Sequence, residues 1–254
     1  MSASEAVSPR PRLNALDATR GAALVAMVFY HLTWDLKHFR LIDVDLSHSA
    51  TFHWIGHAIA AVFVSVSGVS LVLAHRRGFN AYAYGKRLGL LAAAAAAVTL
   101  VTWFAMPEAF IFFGILHCIA AASLAGLAFL RAPVWLIGAA AAAAIVAPQV
   151  FHSETFNAPG LIWTGFGTII PYTYDFRAFF PWVGVFLAGM AAARLGVDAI
   201  FARSGAAHPP WNWLALGGRH SLAVYLVHQP LLYGALLLGT MGLQQVSYDE
   251  RPFL

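Results

Sequence analysis

The sequence predicts an all-α fold: a polytopic transmembrane helical bundle of about seven spanning helices, with its N-terminus on the cytoplasmic side. Three observations predict it. Of 254 residues, 60% are hydrophobic and 10% charged, and the mean hydropathy is +0.71, which is too apolar for a soluble domain of this length. The apolar residues gather into runs close to the roughly 20 residues needed to cross a bilayer core. The basic residues between the runs divide unequally. Arg10, Arg12, Arg20, Arg76, Arg77, Lys86, Arg87, Arg131, Arg194, Arg203 and Arg219 fall on one side, and Lys37, Arg40, Arg177 and Arg251 on the other, 11 against 4 of 15. Lys and Arg accumulate on the cytoplasmic side, so the larger group is read as inside and, with seven spans, Ser247–Leu254 as outside.

The chain reads as one domain: a cytoplasmic tail over 1–15, a transmembrane domain over 16–241 and a periplasmic tail over 242–254. The formal charge of +4 belongs to helix ends and predicts no nucleic-acid partner. The single cysteine, Cys118, excludes an intrachain disulfide framework. The first twenty residues are polar, with Pro9 and Pro11 and no small-residue cleavage site after a short apolar core. No cleavable signal peptide is read there, and the first apolar run is expected to remain as an anchor.

The first span, about 16–36, is LDATRGAALVAMVFYHLTWDL. At about 1.5 Å per residue, His31 lies roughly 16 Å deeper than Arg20, near the bilayer midplane. An ionisable residue there is costly, and by default it marks a functional site. Asp35 lies four residues on and shares a helix face with His31, where a carboxylate orients and polarises an imidazole. Arg20 has two readings, a donor-binding cation or a structural partner of Asp17.

The second span, about 52–74, carries His57 near its outer end, after His48 and His53. It also carries Ser65, Ser67 and Ser70 in VFVSVSGVSL. No G-x-S-x-G elbow is present, so the serines read as small packing residues. The loop HRRGFNAYAYGKR is the most basic segment. Arg76, Arg77, Lys86 and Arg87 suit phosphate by charge-assisted hydrogen bonds, or they express topology alone. Tyr82 and Tyr84 stack on a purine or join the aromatic belt.

The third span, about 87–106, and the fifth, about 133–151, contain the alanine tracts Ala92–Ala97 and Ala139–Ala144, which let helices approach closely in lipid. The fourth, about 109–130, places His117 nine residues inward from Glu108. Pro159–Pro171 is short and Gly-rich, and reads as a re-entrant piece, an interfacial piece or a brief eighth helix. Loop 152–177 carries Glu154, Trp163, Tyr172, Tyr174, Asp175 and Arg177. That set suits a sugar platform and equally an interfacial belt. The sixth span runs over about 178–195. The last, about 220–241, places His228 nine residues from Arg219, with Gln229 beside it.

Three helices thus offer imidazoles at similar depth. The competing reading for each is a histidine hydrogen-bonded to a neighbouring helix. Haem ligation is a second competitor, but His53/His57 is the one H-x-x-x-H pair on a helix, and it lies near the surface.

Several segments are similar to those of a known superfamily. LDATRGAALVAMVFYH resembles the opening of membrane acyltransferases, where an arginine and a histidine about ten residues apart mark the first catalytic helix. VFVSVSGVSL followed by HRR and KRLGLL resembles their second helix and the loop after it. FGILH, FFPWVGVFLAGM and GRHSLAVYLVHQP resemble the bacterial branch similar to the catalytic domain of heparan-alpha-glucosaminide N-acetyltransferase. Together these motifs spread over most of residues 13–233. The resemblance implies acyl transfer from cytoplasmic acyl-CoA, through the membrane, to an acceptor on the far side. Two departures stand out. The human-type enzymes have asparagine where His31 stands and an acyl-accepting histidine in the first outer loop, near His48. In the acyltransferase-3 family the histidine at the position of His31 is the one proposed to act. The chain is also shorter than relatives of about ten helices.

The reading that follows assigns catalysis to His31, Asp35, His48 and His228, with His31 ahead of His48. It assigns acetyl-CoA or another acyl-CoA, as co-substrate, to Arg20, Arg76, Arg77, Lys86 and Arg87. The substrate falls to Trp34, His57, His117 and Gln229, and no metal is expected. His228 and Gln229 are read as donors to the thioester oxygen. The expected partners are membrane lipid and a cell-envelope sugar or glycolipid, a homo-oligomer being left open, in a bacterial inner membrane. The alternative is a transporter or lipid-binding protein with the histidines as a proton relay, although no internal repeat of the kind transporters show is visible.

Overall fold

The computed structural model describes residues 14–196 and 209–249, and among them every regular element is helical. The helices are α1 (Asn14–His38), α2 (Ala50–His75), α3 (Ala81–Ala105), α4 (Ile115–Leu127), α5 (Val134–Val150), α6 (Phe179–Arg194), α7 (Pro209–Arg219) and α8 (Ser221–Asp249). Helices stand at all seven expected positions, and the chain is a helical membrane protein. Ala50–His75, Ala81–Ala105 and Ser221–Met241 are long and apolar enough to cross a bilayer, while α4, α5 and α6 are apolar but shorter. The tails before residue 14 and after 249 and the segment 197–208, with Arg10, Arg12, Arg203 and Arg251 among them, lie outside the described residues.

Local chemistry moves several boundaries. The Asn80 side chain accepts from the Ala83 N–H at 2.9 Å, so α3 starts at Ala81 and half of the basic loop is helical. Tyr82, Tyr84, Lys86 and Arg87 therefore sit on the first two turns of α3. The fourth helix starts at Ile115 rather than 109, because residues 107–109 form a 3-10 turn and Gly114 opens α4. Pro159–Pro171 holds one 3-10 turn, Ile162–Thr164, and no eighth span.

The core is built around α6, which packs on α2, α4 and α5. Phe186, Met190, Leu71, Val64, Cys118 and Ile137 are fully buried there. α2 and α6 run in the same direction and cross where Gly68 meets the Phe186 carbonyl and Gly189 meets the Ser65 carbonyl. A Cβ at either glycine would strike backbone, which is how small residues permit close helix approach in lipid. His57 and Trp182 stack at one end of the pair, and an Arg76 guanidinium N–H donates to the Ala193 carbonyl at the other.

The sequence reading gave no helix over Pro209–Arg219. There α7 lies antiparallel on the first half of α1, with the Leu214 carbonyl against Gly21 and the Asp17 carbonyl against Gly218. The chain then turns at His220, and α8 runs beside the second half of α1 in the same direction. Consequently the stripe Asp17–Gly21–Val28–His31–Asp35–His38 faces α7 first and α8 next. One end of the bundle gathers Asp17, Arg20, Arg219, Arg76 and Arg194, the last donating to the Leu130 carbonyl. The other end gathers His38, Tyr233, Asp175 and loop 152–177, which is bonded to the Ala109–Phe113 segment.

Candidate functional site

The α1–α8 seam brings together four residues that the sequence set apart by nearly two hundred positions. The rings of His31 and His228 stand 5.1 Å apart, tilted by 56°. One turn outward, Gln229 Nε2 donates to Asp35 Oδ1 at 2.9 Å. Asp35 is 5% exposed and His228 9%. Asp35 thus turns to Gln229 on α8 and makes no hydrogen bond to His31. Pro230 follows directly. Lacking an N–H, it leaves the α8 ladder one bond short beside this pair.

Hydrogen-bond chemistry fixes the polarity of the seam. His228 Nδ1 lies 2.6 Å from the Tyr225 carbonyl. A carbonyl only accepts, so Nδ1 carries the proton and Nε2 of the neutral ring presents a lone pair. A carboxylate also only accepts, so the Gln229 amide must offer its NH2 to Asp35 and keeps its own oxygen free. Asp35 Oδ2, His228 Nε2 and Gln229 Oε1 are all buried without a partner among the described residues. Three unanswered acceptors in a seam where buried polar groups are normally paired call for a donor from outside, such as a hydroxyl or an amine.

His57 lies on the first half of α2. Its Nδ1–H donates to the His53 carbonyl at 2.8 Å, and its ring stacks on Trp182 at 5.8 Å. Trp34 meets Phe52 edge to face at 5.7 Å, and Phe52 stacks on Tyr30 at 4.2 Å, so Trp34 ties α1 to α2. His117 is engaged at both nitrogens. Its Nδ1 accepts from the Gly114 N–H at 3.2 Å, and its Nε2 lies 3.1 Å from the Thr99 hydroxyl. It is a brace between α3 and the start of α4. His48 lies apart in the α1–α2 loop, its side chain 87% exposed and 2.9 Å from Asp45. The His48 backbone N–H, and then its imidazole, hold the Asp45 carboxyl below the usual carboxylate range.

At the basic end, Arg20 donates to Asp17 at 2.7 Å and to the Ser70 hydroxyl, and Asp17 also meets Arg219 at 3.6 Å. Arg87 is half-buried on α3. It shares a small enclosed space with Tyr84 and Ser123, and the Tyr84 hydroxyl there is buried without a partner. Arg77 and Lys86 are exposed. Between this end and the histidine pair runs a wholly apolar groove of about 210 Å³, lined by Gly21, Leu24, Val28, Trp213, Leu214 and Val224 among others.

Arg177, which the sequence reading placed in loop 152–177 without a role of its own, lies with its guanidinium over Trp182, 5.8 Å from the ring centroid. Among the described residues, no group of three or more His, Cys, Asp or Glu is placed to hold a metal ion.

Residues 12–230 match the family model described as heparan-alpha-glucosaminide N-acetyltransferase, catalytic. No curated protein and no solved structure matches the chain.

Proposed function

The chain belongs to the catalytic family of heparan-alpha-glucosaminide N-acetyltransferase, a transferase family, and from that premise we propose that it moves an acyl group, acetyl first of all, from cytoplasmic acyl-CoA to a sugar, glycan or glycolipid on the outer face of a bacterial inner membrane. One observation carries the reading: His31 and His228 stand ring to ring between a basic end and an aromatic end. Arg20 and Arg87, with Arg219 beside them, suit the phosphates of the donor. The apolar groove from Gly21 to Val224 suits the pantetheine arm and acyl chain, since it leads from Arg20 towards His31.

In the proposed step, a neighbouring hydroxyl or N–H of the acceptor donates to Asp35 Oδ2, Gln229 Oε1 or His228 Nε2. His31 takes the proton of the reacting hydroxyl or amine as the new bond to the carbonyl carbon forms. The carbon–sulfur bond then breaks, and the imidazolium returns the proton to the CoA thiolate. Direct transfer uses one such cycle; an acyl-histidine on His31 would divide it in two. His228 and Gln229 were expected to donate to the thioester oxygen. The free His228 Nε2 is an acceptor and serves the acceptor group instead, while Gln229 keeps a second amide N–H beside its free oxygen.

The test is binding of acetyl-CoA and longer acyl-CoAs to the detergent-purified protein, followed by transfer to sugar acceptors. Arg20→Ala should weaken donor use at least tenfold. His31→Ala should keep donor binding and lose transfer by the ~10²–10⁴-fold typical of a general base. His48→Ala should stay active, since His48 is exposed and paired with Asp45. An inactive His48→Ala with an active His31→Ala would transfer the chemistry to the outer loop. A folded protein that binds no acyl-CoA would remove the reading in favour of proton-coupled transport.

A further inference from the structure

Tyr84 stands on the first turn of α3 and is 8% exposed. The His75 ring meets it edge to face at 5.9 Å, and Phe79 lies 5.7 Å away. His75 and Phe79 are themselves stacked at 5.0 Å. A ring buried in this way is no platform for a purine. What it offers is its hydroxyl, which is buried without a partner among the described residues, where such groups are normally paired. Tyr84 lines a narrow space with Arg87, Ser123, Leu71, Leu88 and Leu91. Ser123 gives its proton to the Ile119 carbonyl at 2.7 Å, and no carboxylate lines the space. The donors left to a ligand are the Tyr84 O–H and the Arg87 guanidinium. A hydroxyl beside a cation, with no anion between them, suits an anionic oxygen.

We propose that Tyr84 is a donor-binding residue: with Arg87 it holds the phosphate monoester on the ribose of acyl-CoA, and so sets a preference for CoA over its dephospho form. This rests on the acyltransferase reading of the chain. CoA carries two kinds of phosphate. Its diphosphate is bridged on both sides, to the ribose and to pantetheine, and does not fit a narrow space walled by leucines. The monoester hangs by a single bond, presents three acceptor oxygens and carries roughly two negative charges at neutral pH. Leu71 and Ser123 are buried and Tyr84 is held by its ring contacts, so Arg87, half-buried on a long stem, is the wall that swings to admit it. The guanidinium fork then takes two of the phosphate oxygens, and the Tyr84 O–H donates to the third.

The experiment measures binding of acetyl-CoA and of acetyl-dephospho-CoA to the detergent-purified wild type, Tyr84→Phe and Arg87→Gln, with a melt of each protein. The wild type is expected to bind acetyl-CoA at least ~10-fold more tightly than acetyl-dephospho-CoA. Tyr84→Phe should lose ~10–100-fold in acetyl-CoA affinity, the worth of one hydrogen bond to a charged group, and less than about threefold for the dephospho form. Its melting midpoint should be no lower than that of the wild type, because the hydroxyl it removes has no partner to lose. That readout separates a binding role from a structural one. Arg87→Gln should likewise shrink the preference. Three results overturn the proposal: equal wild-type affinity for the two nucleotides, equal proportional losses for both in Tyr84→Phe, or an unchanged preference in Arg87→Gln. A folded wild type that binds neither compound removes the acyltransferase reading itself, which is a different failure.

Discussion

At the residue scale, two hydrogen bonds decide what the seam can do. The Tyr225 carbonyl fixes the proton of His228 on Nδ1, and the Asp35 carboxylate fixes the orientation of the Gln229 amide. Neither is legible in the sequence, because each depends on a partner's lone pair rather than on residue type. The helix face that His31 shares with Asp35 was legible from helical spacing alone, whereas the identity of the carboxylate's partner was not. Gln229 is the donor that Asp35 uses, and removing one partner of a buried pair costs more than removing both. Gln229→Met should therefore destabilise the protein by about 1–3 kcal/mol, read as a lowered midpoint in a detergent melt. The double variant Asp35→Leu/Gln229→Met should recover most of that loss. A double variant that melts at the sum of the single losses would show that the two side chains do not form a pair.

At the element scale, the unexpected part is α7. The helix is 11 residues long, about half of what a span needs, so a search for spans passes over it. Its glycines sit beside Arg219 and look like a helix stop. In the structure those glycines do opposite things. Gly21 and Gly218 lie where backbones touch, while a Cβ at Gly217 would meet nothing within 4 Å. Gly21→Leu should therefore push α7 off α1, costing the ~1–3 kcal/mol of overpacking, and should weaken acyl-CoA binding, because the groove wall formed by Leu214 and Trp213 moves with α7. Gly217→Ala should be neutral or slightly stabilising, by less than about 1 kcal/mol. Equal behaviour of the two variants in melting and binding would remove α7 from the donor path. The start of α3 is a milder case. Asn80 is a good N-cap residue, but the basic residues after it drew the reading towards a loop.

At the scale of the whole molecule, charge asymmetry and helix order carried most of the architecture. The bases assigned to one side, Arg20, Arg76, Arg87, Arg194 and Arg219, sit on the ends of α1, α2, α3, α6 and α7 that group together, and Lys37 and Arg177 lie towards the opposite end. Spans and loop charges are additive along the chain, which is why they can be read without a structure. The site is not additive. His31 and His228 come from helices nearly two hundred residues apart, and only packing shows that they share a space. A site open to both faces also demands that the two ends of the bundle lie in different compartments. That can be tested with thiol labelling in sealed vesicles of known orientation. Cys118 is fully buried, so the wild type should label from neither side. Arg77→Cys, exposed after α2, should react with a membrane-impermeant maleimide only from the cytoplasmic side. Tyr172→Cys, 81% exposed in loop 152–177, should react only from the outer side. Labelling of both from one compartment would place donor and acceptor ends on the same face. Transfer across the membrane would then be untenable, even if every residue of the seam proved essential.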